Sequence, residues 1–115
     1  VTQDGLTGLN NRRRLDQYMW ELDERSGERE TCCYLLMDVN KFKKVNDTYG
    51  HVTGDEVLRL VAEQLKRTFG NMQAFLARYG GDEFVVIVKG TEHFHQQFFW
   101  LCPQQLQSYQ HQAPR

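Results

Sequence analysis

Residues 74–88 read AFLARYGGDEFVVIV. Two apolar runs, 74–79 and 84–88, flank Gly80-Gly81-Asp82-Glu83. Paired glycines between two such runs are a strong hairpin signal. Upstream, residues 32–37 (CCYLLM) form a short, continuously apolar run with Asp38 at its carboxyl end. That run reads as a buried strand. Leu15, Tyr18, Met19 and Leu22 fall at i, i+3, i+4 and i+7, the spacing of one helix face. Asn10 or Asn11 can cap this helix, and Ser26-Gly27 would end it. Leu58, Val61, Ala62, Leu65 and Phe69 make a second stripe, stopped by Gly70. Thr53-Gly54-Asp55-Glu56 ahead of it fits a capping box. Residues 41–50 read as a polar connection carrying Phe42, Val45 and Tyr49. A hairpin, a further strand and two covering helices predict an α+β layer fold.

At 115 residues and 13.6 kDa there is room for one small domain. Hydrophobic residues at 40% and charged residues at 25% supply enough core to exclude a wholly disordered chain. The net charge of −1 excludes a chain-wide electrostatic grip on nucleic acid. The apolar runs are too short to span a bilayer, and residues 1–14 contain no apolar leader core. Cys32, Cys33 and Cys102 form an odd set with neither disulfide nor zinc spacing, so reduced, buried thiols in a cytoplasmic protein are expected. Charge stops abruptly at Gly90. Residues 1–90 hold 27 of the 29 charged side chains, while 91–115 hold only Glu92 and Arg115 among seven Gln. The chain thus divides into a patterned body, 1–90, and an atypical tail, 91–115. In the tail Phe94, Phe98 and Leu101 fit a helix that Pro103 would end. His93, His95 and His111 read as surface residues.

Three carboxylates matter most: Asp38 at a strand end, and Asp82 and Glu83 at a hairpin tip. If the 32–37 strand pairs with the hairpin, they converge at one edge. Clustered hard oxygen ligands suit Mg²⁺ or Mn²⁺, often with substrate phosphates. Gly80 and Gly81 present backbone without Cβ, so a bulky ligand can approach and their amides can meet phosphate oxygens. An acidic turn with no ligand is the plain alternative. Lys41, Lys43 and Lys44 follow Asp38 where a polyphosphate needs positive charge, or else form a solvated face. Asn46 and Asp55 offer an amide and a carboxylate that match a guanine edge. Turn chemistry for Asn46 and a helix-dipole preference for Asp55 are the alternatives. His51 reads equally as a ligand contact or a turn histidine. Arg12, Arg13 and Arg14 oppose the dipole of the helix they begin, which points to acidic partners or a partner chain.

Three stretches together resemble one family. Asp4-Gly5-Leu6-Thr7-Gly8-Leu9-Asn10-Asn11-Arg12-Arg13 resembles the D-x-L-T-G-L-x-N-R-R opening of GGDEF domains. Residues 37–51 (MDVNKFKKVNDTYGH), with Gly54-Asp55 beyond, resemble their metal and nucleotide segment, and residues 78–84 (RYGGDEF) contain the signature. The resemblance implies a mainly antiparallel sheet flanked by helices, similar to the polymerase palm and the class III nucleotidyl cyclases (ferredoxin-like). It implies diguanylate cyclase activity: two GTP molecules, one on each of two facing domains, condense to cyclic di-GMP and pyrophosphate. It implies that Asp38, the Val39 carbonyl and Asp82 bind divalent ions, and that Asp82 or Glu83 helps deprotonate the attacking 3′-hydroxyl. Asn46 and Asp55 would read guanine with His51 nearby, and Lys43, Gly80 and Gly81 would cradle phosphates.

The chain also departs from the family pattern. Asn40 stands where many members carry a second Asp. Asn71 and Ala74 occupy the positions of an R-x-x-D product-inhibition site, so no tight feedback site is expected. The tail does not resemble the family's usual C-terminal helix, S-I-G strand and further basic helix, and an unpaired edge with an exposed patch of core is expected. The alternative to turnover is a GGDEF module that holds GTP for regulation or dimerisation. The family pattern further implies a homodimer for catalysis, no direct membrane contact, and a sensor or membrane segment upstream.

Overall fold

The computed structural model describes residues 1–24 and 32–89; the predicted helix stop at Ser26-Gly27 and the whole tail lie outside them. In chain order the elements are α1 (Arg12–Glu24), β1 (Cys32–Asp38), α2 (Phe42–Tyr49), α3 (His51–Phe69), a 3₁₀ turn (Gly70–Met72), β2 (Phe75–Arg78) and β3 (Glu83–Lys89). The predicted hairpin is β2–β3. β1 pairs antiparallel with the other side of β3, giving the order β1-β3-β2. The α+β expectation holds.

β3 is central among the described strands, and its residues pack to both sides. Phe84, Val86 and Val88 face the stripe of Val57, Leu58, Val61, Ala62, Leu65 and Phe69 on α3. Ile87 faces the opposite way, with Ala77 and Leu15 of α1, joined by Tyr18, Leu22, Phe75 and Val85. A continuous apolar run is what a strand covered on both faces requires.

The same reasoning misplaced residues 32–37. Leu35 is buried, but Tyr34 and Leu36 are 52% and 68% exposed. β1 lies at the edge of the described sheet, and α1 packs over β2 and β3 instead. The side chains of Cys32 and Cys33, expected as buried thiols, lie outside those described, as does Cys102.

Other local readings change too. Asn11 is the cap of α1, its Oδ1 accepting the Arg14 amide at 2.9 Å. Asn10 instead adds a rung to the outer edge of β2: its amide donates to Leu76 O at 3.2 Å and its carbonyl accepts the Arg78 amide at 2.9 Å. Met19, placed on the α1 stripe, is 41% exposed. Arg14 reaches Glu21 at 3.5 Å and Arg12 lies 4.6 Å from the Tyr79 ring centre, so the expected acidic partner is joined by an aromatic one.

The polar connection is a helix. Phe42 and Val45 pack against the main core from α2, and eight residues with such a face suffice for two turns. α3 begins directly at His51, with Gly50 at φ 89° as the break between the helices. Thr53 is therefore inside α3 and the capping box does not form. Gly70 stays right-handed and the left-handed residue after α3 is Gln73, at φ 51°.

Lys41, at φ 57° and ψ 35°, precedes α2 in the left-handed region. That conformation costs a non-glycine residue roughly 1–2 kcal/mol, while glycine adds about 0.4–1 kcal/mol of unfolded-state entropy. Lys41→Gly is expected to raise stability by about 0.5–1 kcal/mol, read as a higher urea midpoint with unchanged slope.

Candidate active site

The register of the sheet assembles the acids. Asp38 at the end of β1 pairs across the ladder with Glu83 at the start of β3, and Asp82 precedes Glu83. The Val39 amide donates to Asp82 O at 3.1 Å, locking the end of β1 to the turn. Each of Asp38, Asp82 and Glu83 offers a carboxylate oxygen, and these atoms all lie within 4.8 Å of one another. Asp38 is exposed, and Asp82 and Glu83 are half-buried. Like charges this close repel by roughly 1 kcal/mol per pair even in full water screening. The donor set is oxygen only, as hard divalent cations prefer, so the residues fit such an ion. Val39 is buried, and its carbonyl accepts the Phe42 amide at 3.2 Å while keeping a second lone pair.

The turn between β2 and β3 is closed by the Tyr79 and Gly80 amides, which donate to Glu83 O at 2.8 and 3.4 Å. Neither Gly80 nor Gly81 has a positive φ. Their contribution is space: a Cβ on Gly81 would meet nothing within 4 Å, and one on Gly80 would touch Glu83 Oε1 at 3.4 Å.

The second group lies where α2 meets α3, with three residues separating Asp38 from the start of α2. Asn46 Oδ1 is buried and has no hydrogen-bond partner. A buried acceptor left unpaired costs about 1–3 kcal/mol, which a ligand donor would recover. Gly54 on α3 lies directly against that amide. Asp55 follows it and is exposed, as are Lys43 and His51. The sheet thus unites Asp38, Asp82 and Glu83, and the helix junction brings Asn46 against the first turn of α3.

One cluster carried no assigned role in the sequence. Arg78 Nη1 donates to both oxygens of Asp4 at 3.2 Å. Its Nη2 donates to Gly81 O at 2.8 Å and its Nε lies 3.2 Å from both Gly80 O and Gly81 O. Asp4 Oδ2 also accepts the Thr7 amide and hydroxyl at 2.9 and 2.8 Å. A cation abutting a turn and an acid in an entry loop were the available signals. Burial alone would raise the Asp4 pKa; the Thr7 hydrogen bonds and Arg78 outweigh it and hold the carboxyl below its ordinary value. The unfolded chain therefore binds more protons in acid, so this contribution is complete above the ordinary carboxylate pKa and is lost as pH falls through the lower folded value. Asp4→Asn is expected to flatten the acid limb of a melting-temperature against pH profile below about pH 4.

The family model for the diguanylate cyclase GGDEF domain matches residues 1–113, running past Gly90 through most of the tail. Diguanylate cyclase DgcZ of Escherichia coli K12 is 44% identical over 88 residues, covering 76% of this chain and 29% of that protein. Probable diguanylate cyclase DgcC of the same organism is 38% identical over 91 residues, covering 78% and 24%. The chain thus spans about a quarter of the length of these relatives. The solved GGDEF domain of DgcB from Caulobacter crescentus, in complex with c-di-GMP, superposes with a TM-score of 0.74 at 39% identity, covering 81% of this chain and 54% of that one. On the family match and these relatives, the chain belongs to the GGDEF family of diguanylate cyclase domains.

Proposed function

We propose that this chain supplies one GTP-binding half of a diguanylate cyclase, and that two copies facing each other condense two GTP into cyclic di-GMP and two pyrophosphates. The observation that carries the reading is the meeting of Asp38, Asp82 and Glu83 at one sheet end, beside the open Gly80-Gly81 turn. Asp38, Asp82 and the Val39 carbonyl would hold Mg²⁺ or Mn²⁺. Bound there, the ion would lower the pKa of the attacking hydroxyl and offset charge on the α-phosphate. Asp82 or Glu83 takes the proton of the 3′-hydroxyl as that oxygen attacks the α-phosphorus of the other GTP, and pyrophosphate leaves. Gly80, Gly81 and Lys43 hold phosphates, Asn46 and Asp55 hold the guanine edge, and His51 lies beside them. The unpaired Asn46 Oδ1 supports the guanine assignment, because guanine offers N–H donors. Each copy binds one GTP, so ring closure requires a homodimer.

GTP is a cytoplasmic substrate, which places the proposed activity in the cytoplasm. No described helix is long and apolar enough to cross a membrane. Sensor or anchoring segments would belong to the rest of a longer protein, as the short share of each relative suggests.

Incubating the purified chain with GTP and Mg²⁺ or Mn²⁺ tests the proposal. Cyclic di-GMP is expected, and the Glu83→Ala control should yield none. GTP binding without product would favour a regulatory module, and neither binding nor product would overturn the nucleotide assignment.

A further inference from the structure

The guanidinium of Arg78 is an unusually complete clamp. Its Nε, Nη1 and Nη2 all donate, and the oxygens they meet belong to Gly80, Gly81 and Asp4. A peptide unit is planar and trans, so its C=O and the following N–H point in opposite directions. Gly80 O and Gly81 O aim at Arg78, so the amides of Gly81 and Asp82 face away from it. Gly81 has open space where a side chain would stand.

At the other end of the fork, Asp4 is built into the entry loop. Its amide donates to Leu9 O at 2.7 Å and its carbonyl accepts the Gly8 amide at 2.9 Å. The side chains of Arg78 and Asp4 are only 19% and 20% exposed, so solvent screens the pair less than a surface ion pair.

We infer that Arg78 is a positioning residue: it holds the Gly80-Gly81-Asp82 backbone so that its amides meet nucleotide phosphate, and Asp4 holds Arg78 in place. The phosphate role rests on the reading given under Proposed function. The consequence is a coupling. Any displacement of the entry segment that withdraws Asp4 frees the fork and loosens the turn, so the geometry upstream of α1 is read out at the phosphate site.

The test uses the full chain with Arg78→Lys and Asp4→Asn. Lysine keeps the charge and the pairing with Asp4 but lacks the planar fork that meets several oxygens at once. In Arg78→Lys the Tyr79 and Gly80 amides, which close the turn on Glu83 O, are expected to exchange hydrogen about tenfold faster, and Mn²⁺·GTP to bind about tenfold more weakly. Asp4→Asn should move the same two amides in the same direction, while the amides of β3 stay near their original rates. Arg78→Lys with both readouts unchanged would overturn the inference, because Arg78 would then be only an ion-pair partner. Asp4→Asn with both unchanged would overturn the coupling. A uniform rise in exchange across the sheet, with no excess at Tyr79 and Gly80, would also sink it, since lost stability alone gives that pattern. If the unsubstituted chain fails to bind Mn²⁺·GTP while those two amides still respond, the functional reading fails and the clamp on the turn stands.

Discussion

Asp82→Asn is expected to lower cyclic di-GMP formation at least about a thousandfold while leaving the ion-free chain as stable as before or slightly more so. The two effects have opposite signs for one reason. Asn has the shape of Asp and keeps its acceptor, but it removes one of three negative charges that lie within 4.8 Å of one another. Without a cation those charges oppose folding, and the relief is worth up to about 1 kcal/mol at low salt, less as salt screens it. With a cation the same charge is a ligand, and its loss should weaken Mn²⁺ binding by at least about tenfold. Glu83→Gln should behave similarly toward product, with a smaller loss of Mn²⁺ affinity if Glu83 mainly handles the proton. Manganese titration, urea unfolding in chelator and a product assay separate these terms. Wild-type Mn²⁺ affinity in Asp82→Asn would remove the metal site from this edge of the sheet. A strong loss of stability would show that Asp82 is structural instead.

The acidic cluster was legible in the sequence because strand pairing leaves few choices. Once residues 32–37 and 84–88 are neighbouring antiparallel strands, an acid ending one run and an acid starting the other must meet at the same end. The core of α3 was legible because Leu58, Val61, Ala62, Leu65 and Phe69 repeat at helical spacing over about three turns. Burial of β1 was not, because periodicity reports composition and not which layer covers a strand. CCYLLM and FVVIV look alike, yet only the second lies between two other described strands. α2 was missed because eight residues with two lysines and an Asn-Asp pair resemble a loop, and tertiary packing of Phe42 and Val45 decides the matter. The Arg78 fork left no periodic trace at all. Its Gly80 and Gly81 targets are main-chain carbonyls, which carry no sequence signal, and its side-chain target, Asp4, lies 74 residues away.

Gly54→Ala should separate stability from nucleotide binding more sharply than any change at the acids themselves. Within a helix, Ala is favoured over Gly by about 0.8–1 kcal/mol, so α3 alone would gain. The new Cβ, however, would run into Asn46 Oδ1, approach Asn46 Cγ to 2.9 Å and Phe42 Cζ to 3.3 Å. Such overpacking costs about 1–3 kcal/mol. The short Asn46 side chain can rotate away, so the net loss of stability is expected to stay at or below about 2 kcal/mol. Rotation takes the amide out of the position proposed for guanine, and GTP affinity should fall at least about tenfold, the cost of one well-formed hydrogen bond to a buried partner. Asn46→Ala alone should weaken GTP to a similar degree without destabilising the chain, because it deletes an acceptor that is buried and unpaired. In that background the clash with the amide is gone and only the Phe42 ring remains close. Gly54→Ala should then turn neutral or stabilising by up to about 1 kcal/mol, with no further loss of affinity. Urea unfolding and GTP titration of the two single variants and the double variant complete the cycle. Additive losses of affinity would mean that Gly54→Ala acts on the nucleotide by a route other than the Asn46 amide, and unchanged GTP affinity in Asn46→Ala would remove that amide from the guanine contact.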